Sequence, residues 1–528
     1  MHTWGKLESF LPAFFHLTCC TITHSQGAKG FCCLTAFQNT PGPKPGISYQ
    51  PGAQMKENNP YQENQDEIRE LIKQYENLRN GRKHSFIDEE SFEKIITHYQ
   101  EKEDLARAMD AAEAASEHYP YSAQLLIKKA DILLANRRYK EALQILEKAE
   151  LFDTADINLY ILKTDACLAL DRQEDAVELL KEALLLFDGE EKIELLFELA
   201  DVYDDYEDFE KVFDCLKMIL EDDPNNEEAL YKICFWTDFT GRNEEGIRLH
   251  QKIIDEFPYN ELAWFNLAAA YQGLKLYEKA IDAYQYAIAI EEKFDYAYRN
   301  MGDAYIRLRK YKEAIEALEK VNELAKPEDV IYEALGYCFE KLKNYAQARQ
   351  YYRKASHMRS DDSRLYYKIA CTYYKEGQWE SCLKQLESAL KIHRMQPEYN
   401  LVAGECKMQL GLFKDAVQYL TNVVSARPKN AAGWEALVRC LYNGQFYEDA
   451  LEQTDTAIRT THNKPLFLFY KAAILIADGK TKEGILQLEK AMAEAPRQLR
   501  KMVELNPAIL QNQLVVDVIA RYKRNKSI

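Results

Sequence analysis

The side chains able to do covalent or metal chemistry are scattered, and none completes a reactive constellation. Gly479-Lys480-Thr481 imitates the end of a phosphate-binding loop, but the earlier glycine would stand at 474, which is Ile474, and the tripeptide falls in a turn between helices. The ten histidines include no His-Glu-x-x-His pair for zinc. No Gly-x-Ser-x-Gly elbow exists to present a serine nucleophile. Of the twelve cysteines, Cys19, Cys20, Cys32 and Cys33 lie near the N-terminus; Cys167, Cys215, Cys234, Cys338, Cys371, Cys382, Cys406 and Cys440 sit singly in helical stretches. Without a Cys-x-x-Cys pair they read as small, buried, reduced thiols of a cytoplasmic protein. The expectation is a non-enzymatic chain with no catalytic residue, no metal and no cofactor.

Charge narrows the partners. The net charge is −17, so nucleic acid and anionic membrane are disfavoured as ligands of the whole molecule. No stretch supplies the ~20 apolar residues that a membrane span needs. The nearest, Leu7 to Ile22, is broken by Glu8, Pro12 and His16. Charge is also unevenly placed. Between Asp188 and Glu228 there are 17 acids against Lys192, Lys211 and Lys217; between Lys341 and Arg394, 12 basic residues face five acids. Such polarity suits oppositely charged partners at different stretches, or head-to-tail self-association.

The elements that must position any binding residue are set by a period. A small residue of a Tyr-x-Glu-Ala motif recurs at Ala108, Ala142, Ala176, Val212, Gly246, Ala280, Ala314, Ala348, Cys382, Ala416, Ala450 and Gly484. Ten of the eleven intervals are 34 residues and one is 36, with the excess expected near Asp188-Gly189. That period predicts twelve helical hairpins over 89–498, stacked into an all-α, right-handed solenoid of antiparallel helix pairs. Numbering each repeat from its first helix, position 4 is bulky (Phe92, Tyr160, Trp264, Trp434), position 8 small (Ala200, Gly302, Gly336, Gly404) and position 11 often aromatic (Tyr99, Tyr271, Tyr305). A bulky side chain fills the gap to the next hairpin, and a small one lets the second helix approach. Glycine at position 15 (Gly241, Gly377, Gly411, Gly479) suits a left-handed helix end. Proline at position 32, as in Pro258 and Pro428, stops the second helix.

Outside the repeats, residues 1–54 are rich in Gly, Pro, Thr and Cys and are read as a disordered or mistranslated extension, with Met55 the natural start. Residues 55–88 give a first helix over 61–80, ended by Gly81, with Asp88 capping the first repeat. Residues 499–528 hold one apolar-faced helix over 508–524, a cap for the last hairpin.

The pattern Trp-x-x-Leu-Gly-x-x-Tyr, then Ala-x-x-x-Phe, then Pro resembles the tetratricopeptide repeat family. Repeat six is nearest, with Trp264, Leu267, Ala268, Tyr271, Ala280, Tyr284 and Ala287. The resemblance covers all twelve units and implies a protein- or peptide-binding scaffold of the long bacterial type. It also implies a concave groove lined by the first helix, at positions 2, 5, 6 and 9. Those positions hold Asn266 and Asn300, which by the resemblance would grip a peptide backbone, and Arg299, Arg364 and Lys368, which would hold carboxylates of an acidic peptide. The dicarboxylate clamp of the family is incomplete, because Asp303 and Ala334 stand where it uses asparagine.

Other roles stay open on sequence alone. A regulatory subunit of a separately encoded enzyme would look the same. An exported or lipid-anchored protein of envelope assembly or nutrient uptake would need a true signal in residues 1–20, where Leu17-Thr18-Cys19 is only loosely similar to a lipobox.

Overall fold

Twelve helix pairs follow one another as the period predicts. The computed structural model describes residues 60–80, 86–462 and 464–526, and every regular element among them is helical. Residues 1–54 and Gly81 lie outside the described residues. The chain forms two compact units, one ending at Ile290 and one beginning at Glu291. Each is an all-α solenoid of antiparallel helix pairs.

In both units the first helix of a repeat, thirteen residues in most cases, packs on its own second helix, and that helix packs on the next repeat. Successive first helices also touch one another, as do Ala123–Ala135 and Ile157–Ala169 in the first unit and Pro397–Gln409 and Ala431–Asn443 in the second. By the family resemblance this first-helix side is the inner one, where a groove is expected. Short polar residues start these helices: the side chains of Asp88, Ser122, Asn226, Asn260 and Asn430 each accept a hydrogen bond from a backbone N–H of the first turn.

The hairpin tips are more uniform than the glycines suggest. All twelve position-15 residues have positive φ: four are glycine, and eight, among them Arg137, Lys275 and Lys343, are not. Each such tip returns the chain through hydrogen bonds to the end of the first helix, as Lys343 N to Glu340 O (3.0 Å) and Asn344 N to Phe339 O (2.8 Å). An L-residue there costs about 1–2 kcal/mol, which the packed hairpin on either side must offset.

The two-residue excess lies where expected. The second helix of repeat three stops early, at Ala183, and the next first helix runs sixteen residues, Glu190–Asp205, from Gly189 at φ 67°. Repeat five departs from the pattern: Glu227–Phe239 packs on Phe209–Asp222 of repeat four and on Glu261–Gly273 of repeat six, and only lightly on its own partner, Asn243–Glu256.

The C-terminal cap differs from the single helix expected over 508–524. The α-helix begins only at Gln513 and runs to Lys526; Pro507–Gln511 before it is a 3-10 turn, and Leu499–Leu505 is a separate short helix. Met502, Ile509, Val515 and Val518 nevertheless cover Phe469, Ala473, Leu488 and Met492 of the last hairpin.

Two core positions give sharp tests. At Gly336 an added Cβ would lie 2.6 Å from the buried Tyr352 ring, so Gly336→Ala should destabilise the second unit by about 1–3 kcal/mol in urea titration. His250 is fully buried, with neither ring nitrogen hydrogen-bonded. Desolvation lowers its pKa to about 3. The unfolded chain takes up its proton near pH 6.5 and the folded chain does not, so stability falls as pH drops from about 6.5 toward 3. Seven other repeats have leucine at this position, among them Leu216 and Leu318. His250→Leu should remove roughly 2 kcal/mol of the stability lost between pH 7 and 4.5.

Candidate functional site

The side chains singled out by position are placed on first helices as expected, and four of the five are engaged within the chain. Asn266, in the first unit, is 3% exposed, and its Nδ2 donates to the Leu230 carbonyl of the preceding repeat at 2.7 Å. In the second unit Arg299 Nη2 donates to Glu328 Oε1 at 2.6 Å, while Asn300 beside it is buried. Arg364 forms a two-pronged pair with Asp362, the cap of its own helix, at 3.0 and 2.8 Å. Lys368 Nζ donates to Glu333 Oε1, and Arg359 reaches Oε2 of the same carboxylate at 3.4 Å. The structure thus brings Lys368, Arg359 and Glu333 together, and leaves Arg299 with a different partner.

Glu333 explains the arrangement. It occupies position 5 of its repeat and is 4% exposed. A buried carboxylate needs counter-charge and hydrogen bonds, and Arg359 at the end of the second helix and Lys368 on the next first helix supply them. The same holds along this side of the second unit. Glu340 accepts from Lys375 (2.6 Å) and from the Tyr352 hydroxyl (2.8 Å). Asp303, also buried, sits 3.4 Å from Arg307 Nε; burial outweighs that cation and pushes its pKa up to about 6.

The first unit presents a different inner side. Position 9 is acidic in three consecutive first helices: Asp131, Asp165 and Asp201. Glu198 stands between them on Glu190–Asp205. Among the described residues neither Asp165 nor Glu198 has a cation in ion-pair contact. The pKa values of Asp165, Glu198 and Asp201 are all raised, first by the protein crowding each carboxylate. Asp131 adds repulsion for Asp165; Asp165 and Asp201 add it for Glu198; Glu228 adds it for Asp201, against the opposing pull of Lys232. Yet Asp201 remains 69% exposed on its side chain, as a groove wall would be.

Aromatic side chains continue this surface. On Glu227–Phe239, Tyr231, Phe235 and Phe239 recur at intervals of four, positions 5, 9 and 13. Tyr231 and Phe239 are each 56% exposed. Phe235 stacks on Phe239 (centroids 5.7 Å), and Phe209 closes edge-on at 4.9 Å. Phe197 at position 5 of the previous repeat carries Lys232 over its ring, Nζ 4.8 Å from the centroid. That ammonium also lies 2.9 Å from Glu228 and 3.8 Å from Asp201. Sequence reasoning passed over this cluster because aromatics are routine in the repeat. The available signal was their placement: in repeat five the packing positions 4 and 11 hold Leu230 and Thr237, and the aromatics have moved to 5, 9 and 13.

Comparison with known proteins agrees with the repeat. The family model for tetratricopeptide repeats matches residues 94–156 and 401–465, and the model for the C-terminal ARM domain of tetratricopeptide repeat protein 21 matches 266–406. A curated relative, the TPR repeat-containing protein YpiA of Bacillus subtilis (strain 168), is 27% identical over 135 residues; the match spans 25% of this chain and 31% of YpiA. Among solved structures, the TPR protein YrrB, which has an unusual peptide-binding site, is 20% identical over 35% of this chain and 96% of its own, with a TM-score of 0.32. The C-terminal part of a TPR repeat-containing protein from Cytophaga hutchinsonii is 16% identical over 48% of this chain and 99% of its own, with a TM-score of 0.41.

The Lys368–Glu333 contact predicts how a charge reversal behaves. Lys368→Glu would set two carboxylates against each other at a buried site, and the second unit should lose about 3 kcal/mol of stability in urea titration.

Proposed function

Because this chain is a tetratricopeptide repeat protein, we propose that it is a non-enzymatic scaffold that holds partner proteins or extended peptides along the first-helix side of its repeats. The observation that carries the reading is the aromatic stripe Tyr231, Phe235, Phe239 on Glu227–Phe239. Large apolar side chains stand half-exposed there, outside the packing positions 4, 8 and 11. Contiguous exposed apolar surface with a polar rim marks an interaction site, and aromatic residues dominate binding energy at such sites. Many modest contacts over consecutive repeats would supply the remaining affinity.

An acidic peptide seated on Arg299, Arg364 and Lys368, with its backbone held by Asn266 and Asn300, would have to displace Leu230, Glu328, Asp362 and Glu333 from these groups. The first unit needs no such exchange at Phe239 or Asp165, so the binding side is assigned there. We place the scaffold in the cytoplasm; the eight described cysteines are buried and form no disulfide, which fits a reducing compartment.

The test is affinity purification with mass spectrometry from the native cell, comparing the natural chain with Tyr231→Ala/Phe239→Ala. A central interface aromatic is worth about 2 kcal/mol, so recovery of specific partners should fall at least about tenfold while helicity by circular dichroism is kept. Recovery of the same partners at the same level would remove this surface from consideration.

A further inference from the structure

We propose that the inner side of the first unit binds a lysine- or arginine-rich segment of another protein, its cations set along a row of carboxylates that ends against an aromatic surface. The inference rests on the scaffold reading and adds the chemistry of its partner.

Two independent features meet there. One is the line of acids. Equivalent positions of stacked repeats fall in a row, so Asp131, Asp165 and Asp201 form rungs with Glu198 set among them. The pKa values of Asp165, Glu198 and Asp201 are raised first by burial and then by neighbouring carboxylates, and a bound cation would offset both. The second unit shows the contrast, since Glu333 and Glu340 are neutralised by Lys368, Arg359 and Lys375 of the same chain. The other feature is the aromatic surface of Phe197, Phe235 and Phe239. Cations are held over aromatic faces most strongly where water is partly excluded.

The chain itself displays the contact. Lys232 lies over Phe197 with Glu228 and Asp201 at its ammonium, which is the geometry a partner's lysine would adopt one rung further on. An arginine would add planar stacking and two-pronged carboxylate contact.

Spacing then constrains the partner. Packed helices lie 8–10 Å apart, and an extended chain advances about 3.3 Å per residue. A cation at every third residue of an extended segment therefore meets successive rungs.

The experiment uses the purified full chain and a fluorescein-labelled peptide of four Arg-Ser-Gly repeats, read by anisotropy, with the same peptide carrying glutamate for arginine as control. The arginine peptide should bind, more weakly at higher salt, and the glutamate peptide should not. Asp165→Asn/Asp201→Asn should weaken binding at least tenfold without lowering the melting temperature, because it relieves like-charge crowding. Lys232→Ala, which empties the Phe197–Asp201–Glu228 cradle, should strengthen binding about threefold. Failure of the arginine peptide to bind, equal binding of the glutamate peptide, indifference to the double substitution, or no gain from Lys232→Ala would each overturn the assignment. If the basic peptide fails while Tyr231- and Phe239-dependent capture persists, the charge inference falls and the scaffold stands. If that capture does not depend on the two aromatics, the scaffold assignment falls as well.

Discussion

How closely the second helix of each pair can approach the first governs everything else in this molecule. Gly302, Gly336 and Gly404 meet Leu318, Tyr352 and Leu420 at distances that a single added carbon would violate. That contact fixes which side of the first helix turns toward its partner. On the opposite side, positions 5, 9 and 13 stay at least partly exposed in repeats three, four and five, and side chains there can serve another molecule. Repeat five goes furthest, since its first helix leans on repeats four and six more than on its own partner.

The two units spend their charges differently. In the second unit, acids on the first-helix side are answered from within: Glu333 by Lys368 and Arg359, Glu405 by the Tyr374 hydroxyl, Glu435 by Tyr470 and Lys501. The surplus of basic residues between Lys341 and Arg394 is partly consumed in this way. In the first unit the corresponding acids crowd one another with little answer. A local excess of one charge in a sequence is thus a poor guide to surface potential until the pairing across neighbouring helices is known.

The fold was legible because its period is long and its packing residues are few. Twelve hairpins, the 36-residue interval and the capping role of Asp88 follow from spacing alone. The tips were half-legible: glycine announces a left-handed residue at Gly241 or Gly411, whereas Lys343 adopts the same conformation with no mark in its type, because the hairpin on either side imposes it. The late start of the terminal helix shows local chemistry overriding a pattern: Pro507 opens a 3-10 turn over 507–511, and Ile509 still reaches its target from it. The candidate residues were legible in place and not in partner. Position numbering puts Arg299 and Lys368 on first helices, but Glu328 and Glu333 are 29 and 35 residues away from them, and only the stacking of neighbouring repeats brings each pair together. His250 shows the converse, a polar residue at a core position that spacing alone would assign to an apolar one.

Lys232 sets a threshold for whatever comes to the first unit. Being tethered to the helix beside its own cradle, it competes at an effective concentration on the millimolar scale. Free amino acids, simple salts and stray single cations in a cell lack the advantage to dislodge it. A visitor that engages several rungs at once does not need to, for it can anchor elsewhere and leave the resident ammonium in place. With the proposed basic partner, the resident would act as a filter on valency, passing over isolated charges in favour of strings of them.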